Sequence, residues 1–127
     1  MKAKFKGGVI SVPMAATATI NKGGIVCFDP NTGGAVAGAN TSGLLFVGIA
    51  AEGKDNSAGL LAAKYIKVYT KGLFLMTGAS LAVTSNGATM YATGAATVDE
   101  TGSNGVIVGK LIKFVSATSG WVLIGRF

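Results

Sequence analysis

The side chains that most often carry out catalysis are scarce in this chain of 127 residues, and they are not paired. Histidine, the commonest general base and metal ligand, does not occur, and the acidic residues number five. Asp99 and Glu100 are adjacent, and neighbouring residues of a strand point to opposite faces, so the two carboxylates would not converge on one substrate. We therefore expect no enzyme active site, no cofactor and no bound metal.

The loop EGKDNSAG, residues 52–59, carries two more acids but lacks the pattern of a known ligand loop. Glu52 and Asp55 flank a glycine and a lysine, yet the further ligands of a calcium loop are missing. The GxxxxGK[ST] spacing of a phosphate-binding loop is missing as well. We predict that this segment is an ordinary loop.

The single cysteine, Cys27, lies between Val26 and Phe28 in the apolar run GGIVCFD. It has no partner for an internal disulfide, so the fold does not depend on oxidation. We predict a buried, small apolar side chain here rather than a reactive thiol.

Composition indicates one soluble domain with a basic surface. Half of the residues are apolar, 13% are charged, 20 are glycine, and the net charge is +6. This charge is compatible with nucleic acid, an acidic membrane or an acidic protein surface. Arg126 is the single arginine, which argues against sequence-specific DNA recognition. No run approaches the about 20 apolar residues of a membrane span, and no signal peptide is evident, so we expect use in a cytoplasm.

Short runs of β-forming residues alternate with glycine-rich turns along most of the chain, as in GIVCFD, DPNTGG and GLLFVGIAAE. Helix signals are weak, and the best candidate, residues 58–64, would form at most a turn or two. The pattern predicts an all-β barrel or sandwich of eight to ten short strands. We divide the chain into an N-terminal arm, residues 1–8, and a single β-domain, residues 9–127.

Three segments could serve contact rather than catalysis. In the arm, lysines alternate with apolar residues, which would give an extended strand one charged edge and one apolar edge. The stretch KYIKVYTKGLFLMTG, residues 64–78, is interpreted as a hairpin that turns at Lys71-Gly72 and carries tyrosines and lysines on one face. The end GWVLIGRF places Trp121 and Phe127 in the core or in an oligomer seam, and we favour the core.

A collinear series of motifs covers nearly the whole chain. Each motif consists mainly of small and apolar residues. The order of the motifs along the chain is therefore more specific than any single motif. The motifs are GGVISVPMAATATINKGGIVCF (7–28), FVGIAAE (46–52), IKVYTKGLFLM (66–76), GATMYATGAATV (87–98), VIVGKLIKF (106–114) and WVLIGRF (121–127). In this order the chain resembles the small capsid cement, or head-decoration, proteins of tailed bacteriophages. It departs from them in NKGGIV, where the family often has an acidic residue after the glycine.

The resemblance implies a compact, β-tulip-like fold with an extended N-terminal arm that binds the outside of a phage head. Such proteins commonly sit as trimers on the major capsid protein and reinforce the shell against the pressure of packaged DNA. The expected location is the virion exterior, after synthesis in the host bacterial cytoplasm. The expected capsid-binding residues of the arm are Lys2, Lys4, Phe5 and Lys6. The expected interface residues of the domain are Tyr65, Lys67, Tyr69, Lys71 and Trp121.

Two other functions stay open at this stage. A phage tail or surface carbohydrate-binding module would need aromatic side chains clustered with Asp or Asn, and Tyr65, Tyr69 and Tyr91 are the material for it. A nonspecific nucleic-acid-binding β-barrel would need stacking aromatics framed by lysines.

Overall fold

The chain folds almost wholly into β-strands. The computed structural model describes residues 2–78, 81–100 and 105–125, with the backbone alone in residues 2–7. These ranges contain eleven strands and one short 3-10 helix, Val83–Ser85. The strands are β1 (Lys2–Pro13), β2 (Thr19–Ile20), β3 (Ile25–Asp29), β4 (Gly34–Ala37), β5 (Leu45–Ala50), β6 (Lys54–Asp55), β7 (Tyr65–Gly78), β8 (Thr89–Ala92), β9 (Thr97–Asp99), β10 (Ile107–Ser116) and β11 (Ser119–Ile124).

Five of these strands close into a barrel. β7 pairs with β11, β11 with β10, β10 with β8 and β8 with β9, and β9 returns to β7 in a parallel pair. Alternate residues of each strand point inward, and burial of each large apolar side chain stabilises the fold by roughly 1.5–3 kcal/mol. The barrel core includes Phe74, Met76, Met90, Val98, Val108, Leu111, Val122 and Ile124.

A second, smaller core lies beside the barrel, between β7 and the strands β5, β3 and β4. Its buried members are Met14, Ile20, Val26, Ala35, Ala50, Ile66 and Val68. A parallel bridge between Met14 and Ala35 brings the chain after β1 against β4. β3 is buried on both faces, since Ile25 and Cys27 belong to the barrel core while Val26 belongs to the second core.

β7 is the strand that the two cores share. Its first half supplies Ile66 and Val68 to the second core, and its second half supplies Phe74 and Met76 to the barrel. Gly72, with a φ of 145°, lies between the halves, and the strand continues through it without interruption. The predicted hairpin turn at Lys71-Gly72 is therefore wrong. β1 runs antiparallel along most of β7, from Lys2 opposite Leu75 to Pro13 opposite Tyr65, and this continuous partner keeps β7 extended.

The predicted all-β class, barrel or sandwich, is confirmed. The turn DPNTGG joins β3 to β4, and there Asn31 N–H donates to the Asp29 carboxylate at 2.9 Å. Residues 58–64 form turns and bends rather than helix. Among the helices of the described residues, none is long and apolar enough to cross a membrane. The backbone of residues 2–8, predicted as an arm, continues without a break into the strand that ends at Pro13.

Candidate protein-docking surface

The outer edge of β1 presents main-chain groups that no described residue pairs with. Met14 N–H donates to the Lys64 carbonyl at 3.0 Å, so this opposed pair is hydrogen-bonded. Hydrogen-bonded and non-bonded pairs alternate along antiparallel strands, so Val12 bonds to β7 and Ser11 does not. Lys67 lies opposite Ser11, and its carbonyl accepts from Ala51 N–H at 2.8 Å on the other side of β7. The Lys67 carbonyl therefore points away from Ser11, as the alternation of bonded and non-bonded pairs requires.

It follows that the N–H and C=O groups of Val9 and Ser11 point away from the domain. The side chains next to these groups are also accessible to solvent. Val9 and Ile10 are about half exposed, whereas their partners on β7 are half-buried or buried. Pro13, which has no N–H to donate, lies at an edge position, where proline is tolerated in sheets. An edge with apolar side chains on both faces is a template for pairing with another strand.

The arm residues lie on this same strand, and Gly8 marks their junction with the rest of it. Gly8 has a φ of +63°, and its carbonyl accepts a hydrogen bond from the Thr70 hydroxyl at 2.6 Å. A β-carbon at Gly8 would collide with that hydroxyl, so glycine is required by both the backbone and the space. The side chains of the expected capsid-binding set lie outside the described residues, and that set is Lys2, Lys4, Phe5 and Lys6.

Three of the four residues expected on the tyrosine and lysine face are exposed. Tyr65, Lys67 and Lys71 face solvent. Tyr69 instead packs against the barrel core, with its ring centroid 6.1 Å from that of Phe74. Tyr69 differs from the other three because it lies opposite Ile49 of β5, a member of the barrel core.

Trp121 is half-buried on the outer face of β11, opposite Leu75 of β7 and Lys113 of β10. It is not a member of either core, although the prediction favoured the core. The other residue of that prediction, Phe127, lies outside the described residues. Tyr91 is half-buried on β8, opposite Ile107 and Asp99.

Four of the five acidic side chains, those of Asp29, Glu52, Asp55 and Asp99, accept hydrogen bonds within the fold. The Asp55 carboxylate accepts from Ser57 N–H at 2.8 Å and from the Thr19 hydroxyl at 3.0 Å. The hydrogen bonds from Ser57, followed by the one from Thr19, lower the pKa of Asp55. Glu52 accepts from Lys67 N–H at 3.2 Å, and Asp99 accepts from the N–H of its neighbour Glu100. In the described ranges, no three metal-ligating side chains come together.

A cavity of about 220 Å³ lies where the β2–β3 connection meets β7 and the turn before β9. Among the described residues of its lining, Lys22 is the one that carries a charge, and none is aromatic. Sugar-binding sites use aromatic faces and polar groups, so this cavity lacks the features of the carbohydrate alternative.

Two exposed apolar features were not identified in the sequence. The first is the loop tip at Leu60 and Leu61, and the second is an open groove beside Leu45 and Ile107. The adjacent leucines in AGLLAA were a usable signal, because a loop seldom carries an apolar run without a function for it.

Cys27 is buried, as predicted, and burial raises the pKa of its thiol to about 11 against the opposing hydrogen bond with the Ala39 backbone. We expect native protein at pH 8 to react with iodoacetamide at least about 100-fold more slowly than urea-unfolded protein, because the thiolate is both rarer and shielded. Mass spectrometry of the alkylated chain measures both rates. Because the folded pKa lies above the unfolded value, this thiol also lowers stability as pH rises from 9.0 towards 11. Equal alkylation rates would contradict the buried position.

Comparisons with protein-family models, with curated proteins and with solved structures found no match to the chain.

Proposed function

We propose that this protein is a capsid decoration, or cement, protein that binds the outer surface of a phage head and stabilises it against internal DNA pressure. Its partner is the major capsid protein, and it acts as a homotrimer on the virion exterior. The proposal draws on the collinear motifs of the sequence. It is supported by a small β-fold in which one strand, β1, has a free edge that is suited to protein contact.

The free edge of β1 is the observation that carries the proposal. The outward N–H and C=O groups of Val9 and Ser11 provide main-chain hydrogen bonds to an added strand. In such β-augmentation the backbone supplies affinity, and alternate side chains supply register. Many copies on one shell add avidity, so a modest affinity for each strand is sufficient.

Charge favours the same kind of partner. The chain carries a net charge of +6. Lys67 and Lys71 are exposed on β7, the strand with which β1 pairs. A basic surface accelerates the approach to an acidic shell, and salt weakens that attraction. In this proposal Tyr65, Lys67 and Lys71 form the rim of the contact.

The test is to mix the protein with undecorated, expanded heads assembled from the capsid protein that is encoded with it, and to count bound copies by sedimentation. Saturation at one fixed number of copies per symmetric position of the shell supports the proposal. Failure to co-sediment overturns it, as does tight, salt-sensitive DNA binding in a gel shift without binding to heads.

Ser11→Pro tests the edge itself. The substitution removes an N–H that points outward, so we expect the free domain to keep its fold while head occupancy falls at least about 10-fold, since one main-chain hydrogen bond and the edge register are lost. Co-sedimentation with heads measures occupancy, and circular dichroism checks the fold.

Val12→Pro is the matched control, since the N–H of Val12 bonds to β7. We expect this variant to lose roughly 3 kcal/mol of folding stability, because proline breaks a ladder bond inside the domain. If Ser11→Pro left occupancy unchanged, the β1 edge would not be the docking element.

A further inference from the structure

One face of the β1 edge is apolar and continues the second core. The side chains of Ile10 and Val12 share this face, and they lie opposite two buried members of that core on β7, Val68 and Ile66. Val12 packs against the second core, whereas Ile10 stays 45% exposed at its margin. A strand added outside β1 with an apolar residue on this face would therefore cover Ile10 and extend the core by one row.

The other face of the edge is basic. Ser11 is exposed on this face, and it lies opposite the exposed Lys67 of β7. Lys71 lies four residues further along β7 and so has its side chain on the same face. Val9 lies between the two lysines in register, and its half-exposed side chain offers an apolar surface to their aliphatic stems. The Glu52 carboxylate binds the Lys67 backbone N–H on the side of β7 that faces β5, away from β1.

The spacing of strands brings these lysines within reach of an added strand. Neighbouring strands lie about 4.8 Å apart, so a strand outside β1 runs about 10 Å from β7. A lysine and a glutamate side chain that extend towards each other span this gap, and the small side chain of Ser11 leaves room between them. Lys67 and Lys71 are an even number of residues apart, so both meet the same face of the added strand.

We propose that the segment that docks on β1 is a strand in which apolar and acidic residues alternate. Its apolar residues pack beside Ile10 at the margin of the second core, and its acidic residues pair with Lys67 and Lys71. The outward main-chain groups of Val9 and Ser11 supply affinity for any extended strand, and the two unlike faces of the edge supply the choice among strands. A basic strand is rejected because it places like charges beside the lysines.

The inference deepens the proposed function, since it gives the chemistry of the capsid segment that the β1 edge accepts, and it rests on that function only for the source of the segment. Peptide binding is measured on the free protein, so it succeeds or fails separately from head binding. Peptide binding of the expected pattern without head binding would support the inference and overturn the proposed function. Head binding without it would overturn the inference and leave the proposed function standing.

Amide NMR of the free protein, titrated with three synthetic octapeptides, tests the proposal. The first peptide alternates glutamate and valine, the second has the same residues in two blocks, and the third alternates lysine and valine. We expect the first to shift the amide resonances of Val9 and Ser11 and to bind at least about 10-fold more tightly than either of the others. The block peptide has the same charge but cannot place its acids on one face, so it separates the pattern from attraction to the net charge of +6.

Lys67→Glu removes the pairing charge, and Lys113→Glu is the matched control. Both lysines are exposed and both substitutions change the net charge equally, but Lys113 lies on β10, which pairs with β8 and β11. We expect Lys67→Glu to lose the preference for the glutamate peptide over the lysine peptide, and Lys113→Glu to keep it. The proposal is overturned if the wild type binds the three peptides equally, if none shifts the Val9 and Ser11 amides at about 1 mM peptide, or if Lys67→Glu keeps the preference.

Discussion

Gly48→Val is expected to lower the free energy of unfolding by more than about 4 kcal/mol, the largest loss of any substitution considered. Gly48 is buried in β5, and a β-carbon there would collide with the Tyr69 carbonyl oxygen and lie 2.7 Å from a methyl carbon of Val68. The nearest atom belongs to the backbone of β7, so rotation of a side chain cannot relieve the clash. The strand pair between β5 and β7 would have to separate.

The cost is large because β5 takes part in both cores. Ile49 packs in the barrel core and Ala50 in the second core, so a displaced β5 opens both. Overpacking of a core costs about 1–3 kcal/mol when side chains can adjust. Here the backbone must move, and we expect a loss above about 4 kcal/mol against a total stability on the order of 5–15 kcal/mol.

Urea unfolding followed by circular dichroism measures this effect, with Gly53→Ala as the control. Gly53 follows β5 in an exposed loop, and its nearest neighbour would be 3.3 Å from an added β-carbon. We expect that control to change stability by less than about 1 kcal/mol. Gly48→Ala should fall between the control and Gly48→Val. A Gly48→Val midpoint equal to that of the wild type would show that β5 does not approach β7 so closely.

Where apolar and polar residues alternate regularly, the sequence was sufficient to predict the strands and which of their side chains are buried. Ile66 and Val68 are buried while Tyr65 and Lys67 are exposed, as their alternation predicts. The buried state of Cys27 followed from its apolar neighbours. These features depend on residues close in sequence, so local pattern contains the information.

The same stretch shows where local pattern fails. A glycine after a lysine permits either a turn or a continuous strand, and β7 continues through Gly72. The choice is made by β1, which lies along β7 from a position about 60 residues away. Tyr69 likewise packs against the barrel core because β5 places Ile49 opposite it, and the sequence of β7 alone does not contain that pairing.

The sequence indicated that the N-terminal segment is extended, but it did not indicate where a free strand edge lies. The alternating lysines indicated an extended N-terminal segment, yet the free edge is identified only by knowing which side of β1 is bonded to β7. The exposed loop tip at Leu60 and Leu61 was missed although its adjacent leucines are visible in the sequence. The contact that holds this loop, from Asn56 to Ala15, spans 41 positions of the sequence, so local pattern does not contain it.

Asn56→Asp is expected to have the second largest effect, because it reverses the polarity of a buried contact. The Asn56 side-chain N–H₂ donates to the carbonyls of Ala15 and Leu60. A carboxylate in the same position would place an oxygen against those carbonyl oxygens, in a site that is 1% exposed. An uncompensated buried charge costs about 3–5 kcal/mol, so we expect a loss of that size at pH 7.

The pH dependence of this loss separates charge from shape. Burial raises the pKa of the introduced carboxyl above its unfolded value, so the protonated form is favoured in the folded state. Stability is therefore regained as pH falls below the folded pKa and is lost as pH rises through it. Asn56→Ala, which removes the donors without adding charge, should lose about 1–3 kcal/mol at every pH.

Urea midpoints of both variants, measured from pH 4 to pH 8 relative to the wild type, provide the comparison. If Asn56→Asp lost the same amount as Asn56→Ala at each pH, the side chain would be hydrated rather than buried among carbonyls.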